Sequence, residues 1–185
     1  MFEELIARIS AVLDQNLLPY MIIGGQAVLL YGTPRMTKDI DITLGVSVDQ
    51  LEIVVKAVGE LGLEIIPEDF ESFVQKTFVL PTKDGRTGIR VDLVFSFTPY
   101  ERQAIERATP VSFRQTAVMF ASVEDVIIHK IFAGRPRDLE DVRSIIIKNR
   151  DFDREYTRNW LMEYDRSMET DAFVKVFEEM LKEAE

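Results

Sequence analysis

In "FEELIARISAVLDQ" the apolar residues Phe2, Leu5, Ile6, Ile9, Val12 and Leu13 recur every three or four positions, which predicts an amphipathic first helix. The period then changes. "YMIIGG" is a short apolar run ending in paired glycines and reads as a buried strand that turns into the helical "QAVLLYG". "DIDITL" alternates polar and apolar residues with period two and predicts a strand. "VDQLEIVVKAVGELG" returns to helical spacing and closes at Gly62, a residue suited to the left-handed position past a helix end. "LEII", "TFVLPT" and "IRVDLVFS" read as further strands, the last two joined as a hairpin across "KDGRTG". "PYERQAIERA" is helical, and "VSFRQTAVMFA" is extended or short-strand material.

From Ser122 onward only helical spacing remains, in "SVEDVIIHKIFAG", "RDLEDVRSIIIKN", "DREYTRNWLMEYDRSM" and "DAFVKVFEEMLKEAE". Ser122 followed by Asp125 outlines a capping box at the first of these. The expectation is an α+β core over residues 1–121, with a helical region over 122–185 packed on it as a C-terminal bundle.

Composition narrows the chemistry. Apolar residues make up 46% and charged residues 29%, the ordinary globular range. No apolar run approaches the roughly 20 residues of a membrane span, and "MFEELIARIS" carries acids where a secretory signal would carry bases. Cytoplasmic residence without a membrane partner is expected. The chain has no cysteine and a single His129, which excludes disulfides, thiolate zinc sites, a cysteine nucleophile and paired-histidine metal sites. With 22 basic against 32 acidic residues, a net charge of −10, a broad electrostatic footprint for nucleic acid is not evident.

Against this background the two aspartates inside "DIDITL" need a reason, since aspartate is a poor strand former. Side chains two apart on a strand share a face, so Asp39 and Asp41 project together while Ile40 and Ile42 project to the core. Two ionised carboxylates this close repel, and a hard divalent ion, Mg²⁺ or Mn²⁺, would relieve the conflict. The alternation of "IRVDLVFS" sets Asp92 on one face with Arg90 and Val94. If that strand lies beside "DIDITL", three carboxylates converge, an arrangement suited to two-metal phosphoryl chemistry and to accepting a proton from an attacking hydroxyl. Gly24 and Gly25 follow a strand and open a helix, where main-chain N–H groups can approach phosphate oxygens. Taken singly, an Asp-x-Asp pair also suits a solvated surface, and paired glycines also suit a plain tight turn. The order of strand, Gly-Gly, helix, two-acid strand and one-acid strand is what favours the chemical reading.

That order resembles the nucleotidyltransferase superfamily, the fold shared with DNA polymerase β, in Gly24-Gly25, Asp39 with Asp41, and Asp92. The fuller strings "GGQAVLLYGTPRMTKDIDI", with Gly32, Arg35 and Thr37, and "EDVIIHKIFAGRPRDLEDV" are similar to the minimal and AbiEii-type branches, which include abortive-infection toxins. The likeness covers roughly residues 20 to 147. It implies a nucleotidyltransferase-like mixed β-sheet with flanking helices. It also implies Mg²⁺- or Mn²⁺-dependent transfer of NMP from an NTP to an acceptor hydroxyl, with pyrophosphate released. Asp39, Asp41 and Asp92 would be catalytic and metal-holding. Gly24, Gly25, Arg35, Thr37, Lys130, Arg135 and Asp138 would bind the nucleotide. Gly25 stands where the Gly-Ser version of the motif has serine, so a hydroxyl contact to the phosphates is missing at that position.

Lys130 falls on the apolar stripe of its predicted helix and needs an anionic partner if buried. The resemblance directs it to the nucleotide's phosphates, in which case Lys130→Met would be neutral or stabilising to the fold; otherwise it snorkels to the rim. Asp138 and Asp141 could equally be a local helix-capping pair. Arg135 and Arg137 could be phosphate or acceptor contacts or solvated charge. The acceptor stays open between an RNA end, a protein hydroxyl and a small molecule, with the toxin-like resemblance leaning towards RNA against the argument from charge. A non-catalytic member that binds a nucleotide or a cognate antitoxin is the rival reading.

Overall fold

The computed structural model describes residues 1–113 and 116–184 of the chain. The described residues divide into two units. The first comprises residues 1–26 and 36–121, and the second residues 27–35 and 122–185. The fold class is α+β, with a mixed sheet in the first unit and helices through the C-terminal region.

The first unit begins with α1 (Phe2–Gln15), whose Leu5, Ile6, Ile9 and Leu13 are buried as their spacing predicts. Its strands are β1 (Tyr20–Ile23), β2 (Asp39–Leu44), β3 (Leu63–Ile65), β4 (Val79–Asp84), β5 (Arg90–Phe95), β6 (Thr109–Phe113) and β7 (Thr116–Phe120). They form one sheet in the order β3-β4-β5-β2-β1-β7-β6. β2 pairs with β5, and β1 with β7, in parallel; the other neighbours are antiparallel. The predicted β4–β5 hairpin is present. The predicted extended stretch "VSFRQTAVMFA" contains β7 and part of β6, and its Arg114 and Gln115 lie outside the described residues.

Period-two alternation decides the sheet's faces. Ile40, Ile42 and Leu44 of β2 and Val91, Leu93 and Phe95 of β5 are all buried, and the intervening residues share the other face. α2 (Gly24–Tyr31) starts directly at the end of β1. α3 (Leu51–Leu61) follows a 3₁₀ turn at Val48–Gln50 and ends at Gly62 in the left-handed conformation, φ 67°. α5 (Pro99–Glu106) opens with Pro99 and a capping box between Thr98 and Glu101. α4 (Phe70–Thr77) has no counterpart in the sequence reading. Val74 is its one fully buried residue, its 8 residues make only about two turns, and its start is marked by Asp69, which accepts from the Ser72 N–H.

In the second unit, α6 (Val123–Ala133) is capped by Ser122, whose hydroxyl accepts from the Asp125 N–H and donates to the Asp125 carboxylate. α7 (Pro136–Lys148), α8 (Arg154–Ser167) and α9 (Ala172–Glu183) follow. Residues 27–35 group with these helices for a visible reason. The Tyr31 carbonyl accepts from Asn149, the Gly32 carbonyl accepts from Lys148, and the Thr33 N–H donates to the Ser144 hydroxyl. A Cβ at Gly32 would meet Ser144 Oγ at 2.7 Å, so this close approach requires glycine. Among the described residues no helix is long and apolar enough to cross a membrane.

Candidate active site

The parallel pairing of β2 with β5 sets Asp39 opposite Arg90 and Asp41 opposite Asp92. Because side chains two apart share a face, Asp39, Asp41, Arg90 and Asp92 all lie on the face opposite the buried Ile40, Ile42, Val91 and Leu93. The convergence that the sequence made conditional on strand adjacency is therefore present at the level of the main chain. The side chains add a feature of their own. Arg90 Nε donates to both carboxylate oxygens of Asp92, at 2.8 and 3.0 Å. Its hydrogen bond to Asp92, reinforced by the charges of Asp92, Asp39 and Asp41, holds the guanidinium pKa above its ordinary value despite partial burial. With Asp92 engaged in this way, the described residues contain no set of three carboxylate or imidazole groups placed together to hold an ion. The donor chemistry still fits a hard divalent ion, which commonly takes one or two carboxylates and fills its shell with water and phosphate oxygens.

The glycine turn is built against these carboxylates. Gly24 has φ 63°, and a Cβ there would collide with the Asp41 carboxylate, so both conformation and space demand glycine. A Cβ at Gly25 would stand 2.9 Å from Thr37 Cβ, 3.2 Å from its Cγ2 and 3.3 Å from its Oγ1. Thr37 Oγ1 donates to the Asp39 carbonyl at 3.0 Å and accepts from Gln26 Nε2 at 3.1 Å. Gln26 Nε2 also reaches the Asp39 carbonyl at 3.5 Å. Gln26, a buried polar residue in the first turn of α2, was not singled out from the sequence. Its only local signal is a carboxamide following Gly-Gly in an otherwise apolar segment.

The structure thus brings Gly24, Gly25, Thr37, Asp39, Asp41 and Asp92 together in the first unit. The other four predicted nucleotide contacts, Arg35, Lys130, Arg135 and Asp138, belong to the second unit and form a network with Asp141. Lys130 Nζ donates to Asp138 at 2.6 Å and lies 3.0 Å from Asp141. Arg35 binds Asp141 through two parallel bonds of 2.9 Å, and Arg135 Nε donates to Asp138 at 2.5 Å. Lys130 is 7% exposed at its side chain, so it does not snorkel, whereas Arg135 is 74% exposed. Asp138 is the third residue of α7 and Arg135 its N-cap, so Asp138 is not the capping residue. Burial pushes the Asp138 and Asp141 carboxyls up. Hydrogen bonds from Arg135 and Lys130 on the first, and from Arg35 and Lys130 on the second, outweigh it and leave both below the ordinary carboxylate value.

The mixed sheet, with its Asp-x-Asp strand, a third aspartate in register beside it and a Gly-Gly turn against it, matches the nucleotidyltransferase fold. The chain belongs to the family described as nucleotidyltransferase of unknown function (DUF6036), which matches residues 1–183. No curated protein matches it. Among solved structures it is similar in fold to the antibiotic-resistance factor ANT(2'')-Ia, at 19% identity and TM-score 0.61 over 90% of this chain and 94% of that one. An antigenic nucleotidyltransferase-like protein from Paracoccidioides brasiliensis aligns at 17% identity and TM-score 0.58, over 94% and 92% of the two chains. The lincosamide antibiotic adenylyltransferase LnuA aligns at 16% identity and TM-score 0.50, over 73% and 90%.

Proposed function

We propose that this chain transfers a nucleoside monophosphate from an NTP to an acceptor hydroxyl, with Asp39 and Asp41 holding a divalent ion, Mg²⁺ or Mn²⁺. The observation that carries this reading is the register of Asp41 against Asp92 on parallel strands, with Asp39 on the same face and Gly24 fitted against the Asp41 carboxylate. Such an ion, when bound, supplies charge stabilisation at the phosphate oxygens. The acceptor oxygen forms a bond to the α-phosphorus, the bond to the β-phosphate bridging oxygen breaks, and pyrophosphate leaves. The acceptor's proton passes to a carboxylate, for which Asp92 is the candidate once it parts from Arg90. In the second unit, Lys130, Arg135 and Asp138 serve the ion-pair network with Asp141.

The acceptor favoured is a small hydroxylated molecule. RNA would bring many phosphates to a chain of net charge −10. The similar structures include one of ANT(2'')-Ia with adenylyl-2''-tobramycin and one of LnuA with lincomycin. A toxin-type enzyme with a cognate antitoxin would use the same chemistry on RNA or protein.

The test follows thermal unfolding with each NTP, with and without Mg²⁺, for wild type and Asp41→Asn. Saturation at a hundredfold excess over Kd adds about 2.7 kcal/mol to wild type, and Asp41→Asn loses that gain while keeping its apo stability. An Mg²⁺-independent gain, or none, overturns the proposal. Transfer from α-labelled NTPs into RNA, protein and small-molecule pools at two salt concentrations then identifies the acceptor. Label confined to RNA, with steep salt dependence, overturns the small-acceptor assignment.

A further inference from the structure

Strand register lays a row of charged residues across four neighbouring strands. Asp39 of β2 stands opposite Arg90 of β5, Arg90 opposite Lys83 of β4, and Lys83 opposite Glu64 of β3. Partners in register share a face, so Lys83 lies on the face that carries Asp39, Asp41 and Asp92. Its position is diagonal to Asp92, about 7–8 Å away between main chains.

Both cations of the row have donors to spare. Lys83 is exposed and, among the described residues, makes no hydrogen bond or ion pair. The Glu64 carboxylate opposite it turns toward the hairpin loop, where a Cβ at Gly85 would stand 2.7 Å from Glu64 Oε1. Arg90 holds Asp92 through Nε alone, and its two terminal nitrogens make no hydrogen bond to a described residue. An ion held by Asp39 and Asp41 would further relieve the guanidinium of their charge. In a chain of net charge −10, two neighbouring cations with unused donors beside the carboxylates form a local anion site.

Its place in the sheet decides which anion it suits. β4 and β1 lie on opposite sides of the β5–β2 pair. On the nucleotidyltransferase reading, the triphosphate lies at the Gly24-Gly25 turn on the β1 side, and pyrophosphate leaves there. In displacement at phosphorus the attacking and leaving oxygens are roughly in line, on opposite sides of the phosphorus. The acceptor hydroxyl then comes from the β4 side, past Asp92, and Lys83 and Arg90 flank its approach. A guanidinium fork and an ammonium together match the oxygens of one phosphate group. The many phosphates of an RNA would need a longer basic track.

We propose that Lys83 and Arg90 form an acceptor subsite for a phosphate monoester, so that the molecule modified carries its reacting hydroxyl and a phosphate group a few bonds apart. That phosphate binds and does not react. This rests on the nucleotidyltransferase reading above and names the substrate class of the same site.

The experiment titrates methyl phosphate, with acetate for comparison, into the full chain saturated with Mg²⁺ and a non-hydrolysable NTP analogue, following the main-chain resonances of residues 83 and 90 by NMR. Methyl phosphate should bind without displacing the analogue, and more tightly than acetate. Lys83→Ala should weaken it about tenfold, in keeping with the loss of one charged contact. Lys83→Glu should abolish it, and the Kd of the analogue should stay unchanged in both variants. In transfer from α-labelled NTP, methyl phosphate should compete with the acceptor and leave the KM for NTP unchanged. No binding of methyl phosphate, displacement of the analogue by it, acetate bound as tightly, binding retained by Lys83→Glu, or competition with NTP overturns this proposal alone. Absence of Mg²⁺-linked binding of the analogue by wild type, or of transfer into any pool, overturns it together with the reading beneath it.

Discussion

Arg90 Nε bonds both oxygens of Asp92, at 2.8 and 3.0 Å, on the strand whose register sets Asp92 beside Asp41. The guanidinium is thus the counter-charge of the carboxylate face formed by Asp92, Asp39 and Asp41, and a divalent ion held by Asp39 and Asp41 competes with it for that negative charge. Arg90 is 54% exposed at its side chain, so the pair contributes at most about 1 kcal/mol to stability. Arg90→Gln should lower apo stability by that small amount and enlarge the Mg²⁺-dependent rise in Tm, because carboxylates left unneutralised gain more from the ion. Thermal unfolding across a Mg²⁺ titration measures both. A smaller Mg²⁺ effect in the variant would mean that Arg90 assists the ion instead of competing with it.

Lys130 has the opposite energetic character. Its ammonium is buried between Asp138 and Asp141. Removing one member of a buried ionic group strands the others and costs about 3–5 kcal/mol. Lys130→Met should therefore destabilise the chain toward the lower end of that range, since Arg135 and Arg35 still hold the two carboxylates. This reverses the neutral or stabilising effect expected from the sequence, where methionine suited an apolar stripe. Urea unfolding monitored by circular dichroism decides the sign.

The contrast between these sites shows what the sequence could carry. Alternation within "DIDITL" and "IRVDLVFS" is a local property, so both strands and the shared face of Asp39 and Asp41 were legible. The pairing of β2 with β5 joins residues some fifty positions apart, and could only be posed as a condition. Lys130 announced that it needed an anion, but its partners come from the next helix, and Arg35, which joins them, comes from a distant loop. The fit of Thr37 onto Gly25 depends on how tightly a turn folds back, which no periodicity encodes. α4 was illegible because its 8 residues make only about two turns, too few for a helical repeat to stand out between two strands.

The same network sets a pH dependence. Asp138 and Asp141 have folded pKa values below the ordinary one, burial being outweighed by their hydrogen bonds to Arg135, Lys130 and Arg35. A carboxyl depressed in the folded state stabilises it above the unfolded pKa of about 3.9, and that contribution is lost as pH falls through the folded value. Unfolding free energy should be flat above about pH 5 and fall below about pH 4. Asp141→Asn should make the fall shallower. Urea titrations at a series of pH values give the slopes, and equal slopes would show that Asp141 takes no part in acid unfolding.

Gly24 and Gly62 share a left-handed conformation, φ 63° and 67°, but not an environment. A Cβ at Gly62 would meet nothing within 4 Å, whereas one at Gly24 would collide with the Asp41 carboxylate. Alanine at either position incurs backbone strain of about 1–2 kcal/mol. Only at Gly24 must a site carboxylate also move. Gly62→Ala should therefore lower stability by the strain alone and leave Mg²⁺-dependent NTP binding intact, while Gly24→Ala should lower stability further and abolish that binding. Urea unfolding and NTP titration of the two variants side by side separate strain from site geometry. Intact NTP binding in Gly24→Ala would show that the Asp41 carboxylate can leave the position seen here and still do its work.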